Sequence, residues 1–543
     1  VGLILILGGY GAFGGRLSRR LRDAGHAVIV AGRSLDKAKR FCAGETGLAP
    51  LAADRGEDLA ALLAEHRPAV VVDAAGPFQR SGLAVPRACI AAGIHYLDLA
   101  DARDFVGRIG ELDAAARAAG VAIISGASSL PALSGAAARR LAAGMDDVRA
   151  VEIALSISNR GGAGRAAAAA ILSYVGRPIR LWRGRAWQTG YGCHERRRIR
   201  FEVGGAAPLA GRSVALCEVP DLDLLPDRLP GRPAFAFRAG TDSRLQNLGL
   251  AAAARLVRAG LIHDLSRWIS WLEPVRRLTA GRGSERSAMA VRLFGISSGR
   301  RLERRWVLIA DKGDGPETPT LAIPVLVRRL LAGEIEAGAR DAGTLLDLAD
   351  YEAAFVGLAI RHEQSEIALP PPLYARAMGA AFGRLPPAVR AIHDVLRDDG
   401  AHGRSTVTRG RNPLARLIGR IVGFPPAGEH AVHVHFEEVD GVETWIRRFS
   451  GNGFHSRLSL RGGLLVERIG LLTFGFDLPA DEKGLEMILR AWWLGPVRMP
   501  MVLGPRCDAR EYEEAGRFRF DVAIAMPLIG PIAHYRGWLG VRG

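Results

Sequence analysis

The feature that most constrains this chain is a regular alternation of short apolar runs and helical stretches through its first 145 residues. Residues 3–8 read LILILG, an unbroken apolar run of the kind found at the centre of a parallel sheet, where both faces of a strand are buried. A helical stretch at 16–23 follows, then a second apolar run at 27–31 (AVIVA), a helix near 35–45 and a strand near 48–52. The pattern continues with a helix near 57–65, a strand at 69–74, a helix near 83–92, a strand near 96–99, a helix near 104–119 and a strand at 121–125. Five or six βα units in series, joined by right-handed crossovers, predict an α/β fold: a Rossmann doubly wound parallel sheet.

The first strand runs into Gly9-Tyr10-Gly11-Ala12-Phe13-Gly14, a GxGxxG turn between a strand and a helix. The glycines permit a tight turn, close approach of backbone to a pyrophosphate, and close packing of helix on strand. The amides and positive end of the helix then receive the phosphates of a dinucleotide. At the end of the second strand an Asp or Glu would hold a ribose 2′-hydroxyl, but the chain reads Gly32-Arg33-Ser34, with Lys37 one turn later. Arg33 can pair with a 2′-phosphate and stack on adenine, so the expected cofactor is NADP(H) rather than NAD(H). Asp54, just past the third strand, is expected near the adenine amino group. Ala75-Gly76-Pro77-Phe78, after the fourth strand, is expected beside the nicotinamide half.

These stretches resemble the saccharopine dehydrogenase-like superfamily, in its reductase-type NADP-binding domain. The resemblance rests on GGYGAFG at 8–14, AGRS at 31–34, DAAGPF at 73–78, AGIHYLDLAD at 92–101 and SGASSLPALSG at 125–135. It extends to GDGPETPTLAIPVLVRRLLAG at 313–333, which is similar to a family helix that returns to the nucleotide domain. The resemblance implies reduction of imines formed from amino-acid or polyamine partners. The chain departs from many relatives at Ser128, where they carry Asp, so saccharopine itself is not the expected substrate.

Hydride transfer needs a proton donor beside the nicotinamide, on loops at the carboxyl ends of the strands. Three sets occupy such positions: Gln79 and Ser81; Tyr96, Asp98 and Asp101; Ser128 and Ser129. Tyr96 and Asp98 are the preferred catalytic pair, because a phenol or carboxyl in a dry cleft can be tuned toward neutrality. His95 reads as a surface imidazole.

The chain divides into a Rossmann domain (1–145), an α+β substrate or dimerisation domain (146–368) with a returning helix near 319–332, a proline-rich linker (369–384) and a C-terminal α+β domain rich in antiparallel strands (385–543). Residues 385–540 resemble an uncharacterised domain found behind saccharopine dehydrogenase-like domains in bacteria. In the middle domain, 245–278 reads as one long helix carrying Trp268 and Trp271 beside Arg267, Arg276 and Arg277, an arrangement that suits core packing, a dimer face or an interfacial helix. His433, His435 and Glu437 share one strand face and would suit a metal, but no third imidazole lies nearby and no metal is assigned. Arg447 and Arg448, near Trp445, could receive an anionic group, and a curled antiparallel sheet could hold an apolar ligand.

The net charge of +17 is almost all arginine, concentrated at Arg177–Arg200 and Arg300–Arg305. Such a field favours a small anionic substrate, and also suits an anionic membrane surface; no nucleic-acid motif accompanies it. A homodimer is the expected assembly. Five scattered cysteines suit a reducing compartment, and no run is long enough for a spanning helix or a secretory signal, so a cytoplasmic location is expected. No initiator Met opens the chain, and its recorded start is expected to fall a few residues late. The leading expectation is an NADP-dependent oxidoreductase acting on a small carbonyl or imine. The alternative is a non-catalytic cofactor-binding or membrane-surface scaffold with a C-terminal ligand-binding domain.

Overall fold

A computed structural model describes residues 2–57, 59–160, 164–263, 265 and 283–540, with backbone only at 164–167. The first sheet is parallel and contains β1 (Leu3–Leu7), β2 (Ala27–Gly32), β3 (Leu48–Ala52), β4 (Val70–Asp73), β5 (His95–Asp98) and β6 (Ala122–Ser125) in spatial order 6-5-4-1-2-3. β1 lies between β2 and β4, with Ile4 opposite Val28 on one side and Val70 on the other. Its side chains alternate between two cores: Ile4 and Ile6 enter one, Leu5 and Leu7 the other. That is why the run is apolar without a break; each residue so buried contributes roughly 1.5–3 kcal/mol. The helices that matter for the site are α1 (Gly14–Asp23) and α2 (Leu35–Cys42). The stretch at 104–119 is not one helix but two short ones, Arg103–Arg108 and Asp113–Ala118, joined by a 3₁₀ turn.

The second sheet is mixed. Its strands are β7 (Asp147–Ile157), β10 (Arg197–Phe201), β11 (Leu209–Leu216), β12 (Ala234–Thr241), β13 (Ser287–Ser297), β14 (Arg300–Ala310) and β16 (Ile360–Ala368), in the order 10-11-12-7-13-14-16. β8 (Pro178–Arg183) and β9 (Ala186–Tyr191) form a separate hairpin, and β15 (Gly338–Asp341) belongs to the first sheet. There Ala339 pairs parallel with Ile123 of β6, so the nucleotide domain gains a seventh strand from far along the chain. The return is therefore longer than the helix expected at 319–332: it comprises the helix Ala322–Leu331, β15 and the helix Leu348–Ala354. A Cβ on Gly135 would come within 2.4 Å of the Gly343 carbonyl oxygen, a measure of how closely this return packs on the first segment. Of the helix expected at 245–278, the segment Arg244–Arg258 is helical; Trp268, Trp271, Arg267, Arg276 and Arg277 lie outside the described residues.

The stretch at 369–384 is not a free linker. Leu373–Met378 is helical and leads through a 3₁₀ turn toward the helix Pro387–His393. Leu373, Tyr374, Val389 and Ile392 are buried in the C-terminal core, and Tyr374 stacks on His393 at 3.7 Å. Prolines here start helices, where a missing N–H goes unused.

The third sheet is antiparallel: β17 (Asp398–Arg409), β18 (Gly428–Val439), β19 (Val442–Phe449), β20 (Asn452–Arg461), β21 (Leu464–Ile469), β22 (Leu472–Asp477), β23 (Ala480–Asp481), β24 (Gly484–Glu486), β25 (Ile488–Leu494), β26 (Val497–Met499), β27 (Arg506–Glu514), β28 (Arg517–Met526) and β29 (Gly530–Gly540). β24 pairs with β27 while β25, its direct continuation, pairs with β22. One stretch of chain thus joins the two ends of the sheet, and the sheet closes into a barrel.

Buried ion pairs join the barrel to the middle domain. The Glu152 carboxylate of β7 receives Arg397 Nε at 2.9 Å and Arg197 at 3.1 Å. Burial pushes this carboxyl up, but the guanidiniums of Arg397, Arg197, Arg292 and Arg238 outweigh it and hold it at about 2. His433 and His435, weighed above as metal ligands, serve the same junction. His433 Nε2 donates to the Gly184 carbonyl at 2.8 Å, His435 Nε2 lies 3.0 Å from Asp398 Oδ2, and Glu437 pairs with Arg197.

Candidate functional site

The glycine turn sits at the carboxyl end of β1, under the first turn of α1. Gly11 N–H donates to the Gly8 carbonyl at 2.8 Å, which folds the turn back on itself. A Cβ on Gly14 would stand 2.1 Å from that carbonyl oxygen, so this position admits glycine alone. Among the described residues, the amides of Ala12 and Phe13 make no backbone hydrogen bond. No acidic residue occupies the first turn of α1, so its positive end is open to a phosphate. Arg16 and Arg20 of α1 both pair with Glu317, Arg20 at 2.6 Å, which fastens the helix to the segment that follows β14.

At the end of β2, Arg33 is exposed and, among the described residues, makes no ion pair or side-chain hydrogen bond. Ser34 caps α2 by accepting Lys37 N–H at 3.3 Å, and its own amide donates to the Tyr10 hydroxyl at 3.0 Å. Asp54 Oδ1 accepts the Gly56 amide at 3.0 Å and so shapes the loop after β3. The neighbouring Arg55, which sequence reasoning missed, does more. Its guanidinium lies 2.9 Å from buried Asp73 Oδ2, donates to the Ala75 carbonyl and Ser81 Oγ at 3.0 Å each, and covers the Phe78 ring at 4.6 Å. Asp73 Oδ1 accepts the Ala75 amide at 3.0 Å. Burial pushes the Asp73 carboxyl up against the pull of Arg55 and that amide. Ala75, Gly76, Pro77 and Phe78 are thereby held as a rigid wall.

Beyond that wall lies a cavity of about 200 Å³ between the first and second sheets. Phe13, Gly76, Pro77 and Phe78 line one side; Leu155, Ile157, Met289 and Leu308 line the other. Its polar groups include Asp101, Ser128, Ser129 and Thr318, with Ser129 Oγ 3.4 Å from Thr318 Oγ1. Thr318 lies just before the helix Ala322–Leu331, within the stretch at 313–333 whose family resemblance does not single it out.

The preferred catalytic pair does not reach this cavity. Tyr96 is fully buried in the core beneath the sheet, and burial together with the Asp98 and Asp73 carboxylates pushes its phenol far above the ordinary range. Asp98 is also fully buried. Its Oδ1 accepts Gly126 N–H at 2.7 Å, Ala100 N–H at 2.9 Å and Ser125 Oγ–H at 3.0 Å, while Oδ2 has no hydrogen-bond partner among the described residues. Burial raises the Asp98 carboxyl to about 7 against those three donors, so it serves as a brace between β5 and β6. The third member of that set is the one in the cleft. Asp101 stands exposed at the mouth of the cleft, where its Oδ1 accepts Gln79 Nε2–H at 3.1 Å; partial desolvation by the surrounding protein pushes its carboxyl up. His95 Nδ1 accepts the Ala122 amide at 3.0 Å, tying β5 to β6.

The arginine clusters lie elsewhere. Asp101 is the sole charged side chain among the described residues lining the cleft. Arg183 pairs with Glu195 at 2.8 Å, Arg200 with Glu202 at 2.9 Å and Arg304 with Glu366 at 2.9 Å. Among the described residues, no cation lines the cleft to attract an anionic substrate.

A parallel sheet with its order reversing beside β1, a glycine turn against a helix, and a cleft at the carboxyl edge define a dinucleotide-binding fold. Residues 4–124 match the family described as saccharopine dehydrogenase NADP binding domain, and residues 385–539 match a domain of unknown function, DUF4166. The chain thus carries a domain of the saccharopine dehydrogenase NADP-binding type at one end and a DUF4166 domain at the other. Among solved structures it is similar to apo saccharopine dehydrogenase (L-Glu forming) from Saccharomyces cerevisiae, at 10% identity over 67% of this chain and 100% of that one, with a TM-score of 0.47. It is also similar to amine dehydrogenase from Mycobacterium smegmatis, at 14% identity over 63% of this chain and 94% of that one, with a TM-score of 0.33. No curated protein matches the chain.

Proposed function

We propose that this protein is an NADP(H)-dependent oxidoreductase that reduces a small imine or carbonyl compound, with an iminium favoured over an anionic substrate. The observation that carries the cofactor choice is Arg33, unpaired at the end of β2 where an acidic residue would repel a 2′-phosphate. In this reading Gly9–Gly14 cradle the pyrophosphate, Arg33 and Ser34 hold the 2′-phosphate, and Asp54 borders the adenine. Ala75, Gly76, Pro77 and Phe78 flank the nicotinamide. NADPH, when bound, supplies the hydride.

The chain's own residues orient the substrate and handle a proton. Asp101 Oδ1 is held by Gln79, which leaves Oδ2 to carry a proton toward a developing amine or alkoxide. A neutral imine or carbonyl takes that proton from the protonated Oδ2; an iminium already carries it, and for such a substrate the ionised carboxylate attracts the cation, with no arginine or lysine competing among the described lining residues. Ser128, Ser129 and Thr318 offer hydroxyls for orientation, and the apolar walls exclude water. Four of the five cysteines are buried and none is paired, which supports the cytoplasm as the working compartment.

Titration of the purified chain with NADPH and NADH tests the cofactor choice. NADPH binds more tightly, and Arg33→Ala removes the difference by weakening NADPH alone. Equal affinities in the unaltered protein would sink the argument from Arg33.

A further inference from the structure

The C-terminal barrel encloses a second cavity, of about 180 Å³. Inward positions alternate along its strands, as Trp445, Arg447 and Phe449 on β19 show. The wall is chiefly aromatic and aliphatic; among the described residues its charged members are one cation, Arg447, and two carboxylates, Glu467 and Glu511, the latter held by His393 at 2.6 Å. The Arg447 guanidinium donates to Ser456 Oγ at 2.8 Å, lies 3.4 Å from Glu467 Oε1 and stacks over Trp445 at 4.9 Å. Five N–H groups project from a guanidinium, so these contacts leave donors for an oxygen in the cavity. Arg447 and Glu467 together are neutral. A hydroxyl can accept from the first and donate to the second without bringing in an unpaired charge.

The two ends of the barrel differ. Helices Leu373–Met378 and Pro387–His393 plug one end with buried side chains. At the other end the helix Pro413–Val422 lies across the cavity and contributes Ile418 and Val422 to its lining. There β25 turns away from β27 to pair with β26, and an opening lies between them. Met487, Leu489, Cys507 and Ala509 line both this opening and the cavity, so the two spaces share a wall.

The meander of the sheet brings every loop of that end together: 410–427, 450–451, 470–471, 495–505 and 527–529. These loops and their flanking residues carry exposed apolar side chains, including Leu417, Ile421 (77% exposed), Leu471, Val502 (78% exposed) and Leu528. Around them stand Arg411, Arg416, Arg420, Arg498 and Arg506. The segments 411–424, 469–472, 494–506 and 526–530 contain no Asp or Glu. Exposed apolar tips ringed by cations match the boundary of an anionic bilayer. The plugged end, in contrast, faces the junction with the middle domain, where arginines and carboxylates are paired with one another.

We propose that the barrel binds a lipid-like molecule, with its apolar chain or ring in the cavity and a hydroxyl or carbonyl oxygen at Arg447, and takes it up from an anionic membrane surface through the end covered by Pro413–Val422. This inference is independent of the oxidoreductase reading.

The test uses the full chain, a dansyl-labelled long-chain alcohol as cavity probe, and vesicles of phosphatidylcholine with or without phosphatidylglycerol. The probe's fluorescence rises and shifts to the blue on binding. Val522→Trp, which fills the cavity, weakens that binding by at least about tenfold, and Arg447→Met with Glu467→Met, which removes both members of the ion pair together, does so by about tenfold. The double variant Leu417→Asp, Ile421→Asp keeps the probe affinity but no longer sediments with phosphatidylglycerol vesicles. Thermal unfolding and NADPH binding report folding in each case; should Val522→Trp fail to fold, Ala509→Phe fills the same space from β27. Unchanged probe affinity in a folded, cavity-filled variant overturns the lipid site. Equal sedimentation with neutral vesicles, or full sedimentation of the Leu417, Ile421 variant, overturns the membrane surface.

Discussion

The Tyr10 hydroxyl accepts the Ser34 amide at 3.0 Å, and the ring that carries it lies within 2.5–2.7 Å of where a Cβ on Gly32 would stand. The glycine turn and the end of β2 are thus one unit, with Tyr10 as the strut between the phosphate cradle and Arg33. A methyl group at position 32 displaces that strut. Gly32→Ala is expected to weaken NADPH binding by roughly tenfold and to destabilise the fold by about 1–3 kcal/mol, read by calorimetric titration and thermal unfolding.

Asp101→Asn keeps the hydrogen-bonding shape of the cleft but loses the titrating oxygen. The expected outcome is a fall in kcat of about 10²–10⁴ with NADPH affinity unchanged, measured as NADPH oxidation with a cyclic imine. Equal turnover in the two proteins would remove Asp101 from the reaction.

Asp98 gives a pH dependence of stability with a definite sign. Its folded value of about 7 lies above that of an unfolded aspartate, so the folded chain holds an extra proton between about pH 4 and pH 7. Stability therefore falls as pH rises through that window. The unpartnered Oδ2 suits this proton, since Oδ1 alone accepts all three donors. Asp98→Asn keeps Oδ1 and is expected to flatten this part of the profile, whereas Asp98→Ala strands three donors and costs roughly 2–4 kcal/mol. Urea unfolding at a series of pH values measures both.

Glu152 behaves in the opposite sense. Its folded value of about 2 lies below that of an unfolded glutamate, so its contribution is complete above about pH 5 and is lost as pH falls through 2. The difference corresponds to about 3 kcal/mol. Glu152→Ala leaves Arg397, Arg197 and Arg292 facing one another and is expected to cost about 3–5 kcal/mol, separating the unfolding of barrel and middle domain in calorimetry.

How much of this the sequence discloses depends on the range over which each feature is determined. The strand, turn and helix at residues 3–23 are local, and so is Arg33 after AVIVA; all are legible from neighbouring residues. Tyr96 and Asp98 mislead because a residue inside a strand faces the helices beneath the sheet, whereas the cleft begins past the strand's end, where Asp101 lies. β15 is only GARD, too short and too polar to announce itself, and it becomes a strand because β6 needs a neighbour. The positive segments look free in the sequence because their carboxylate partners come from distant strands, as Glu366 does for Arg304. Barrel closure through residues 484–494 has no local sign, for it depends on one strand changing partners midway.

The late arrival of β15 also sets an order of assembly. When a ribosome has released residues 1–145, β6 still presents an unpaired edge, and Gly343, against which Gly135 packs, has yet to be made. The nascent nucleotide domain must wait, incomplete, while all of the middle domain's sheet but β16 is synthesised. A fragment ending near residue 145 would carry that open edge permanently and tend to aggregate through it, while one extending past Ala354 would not.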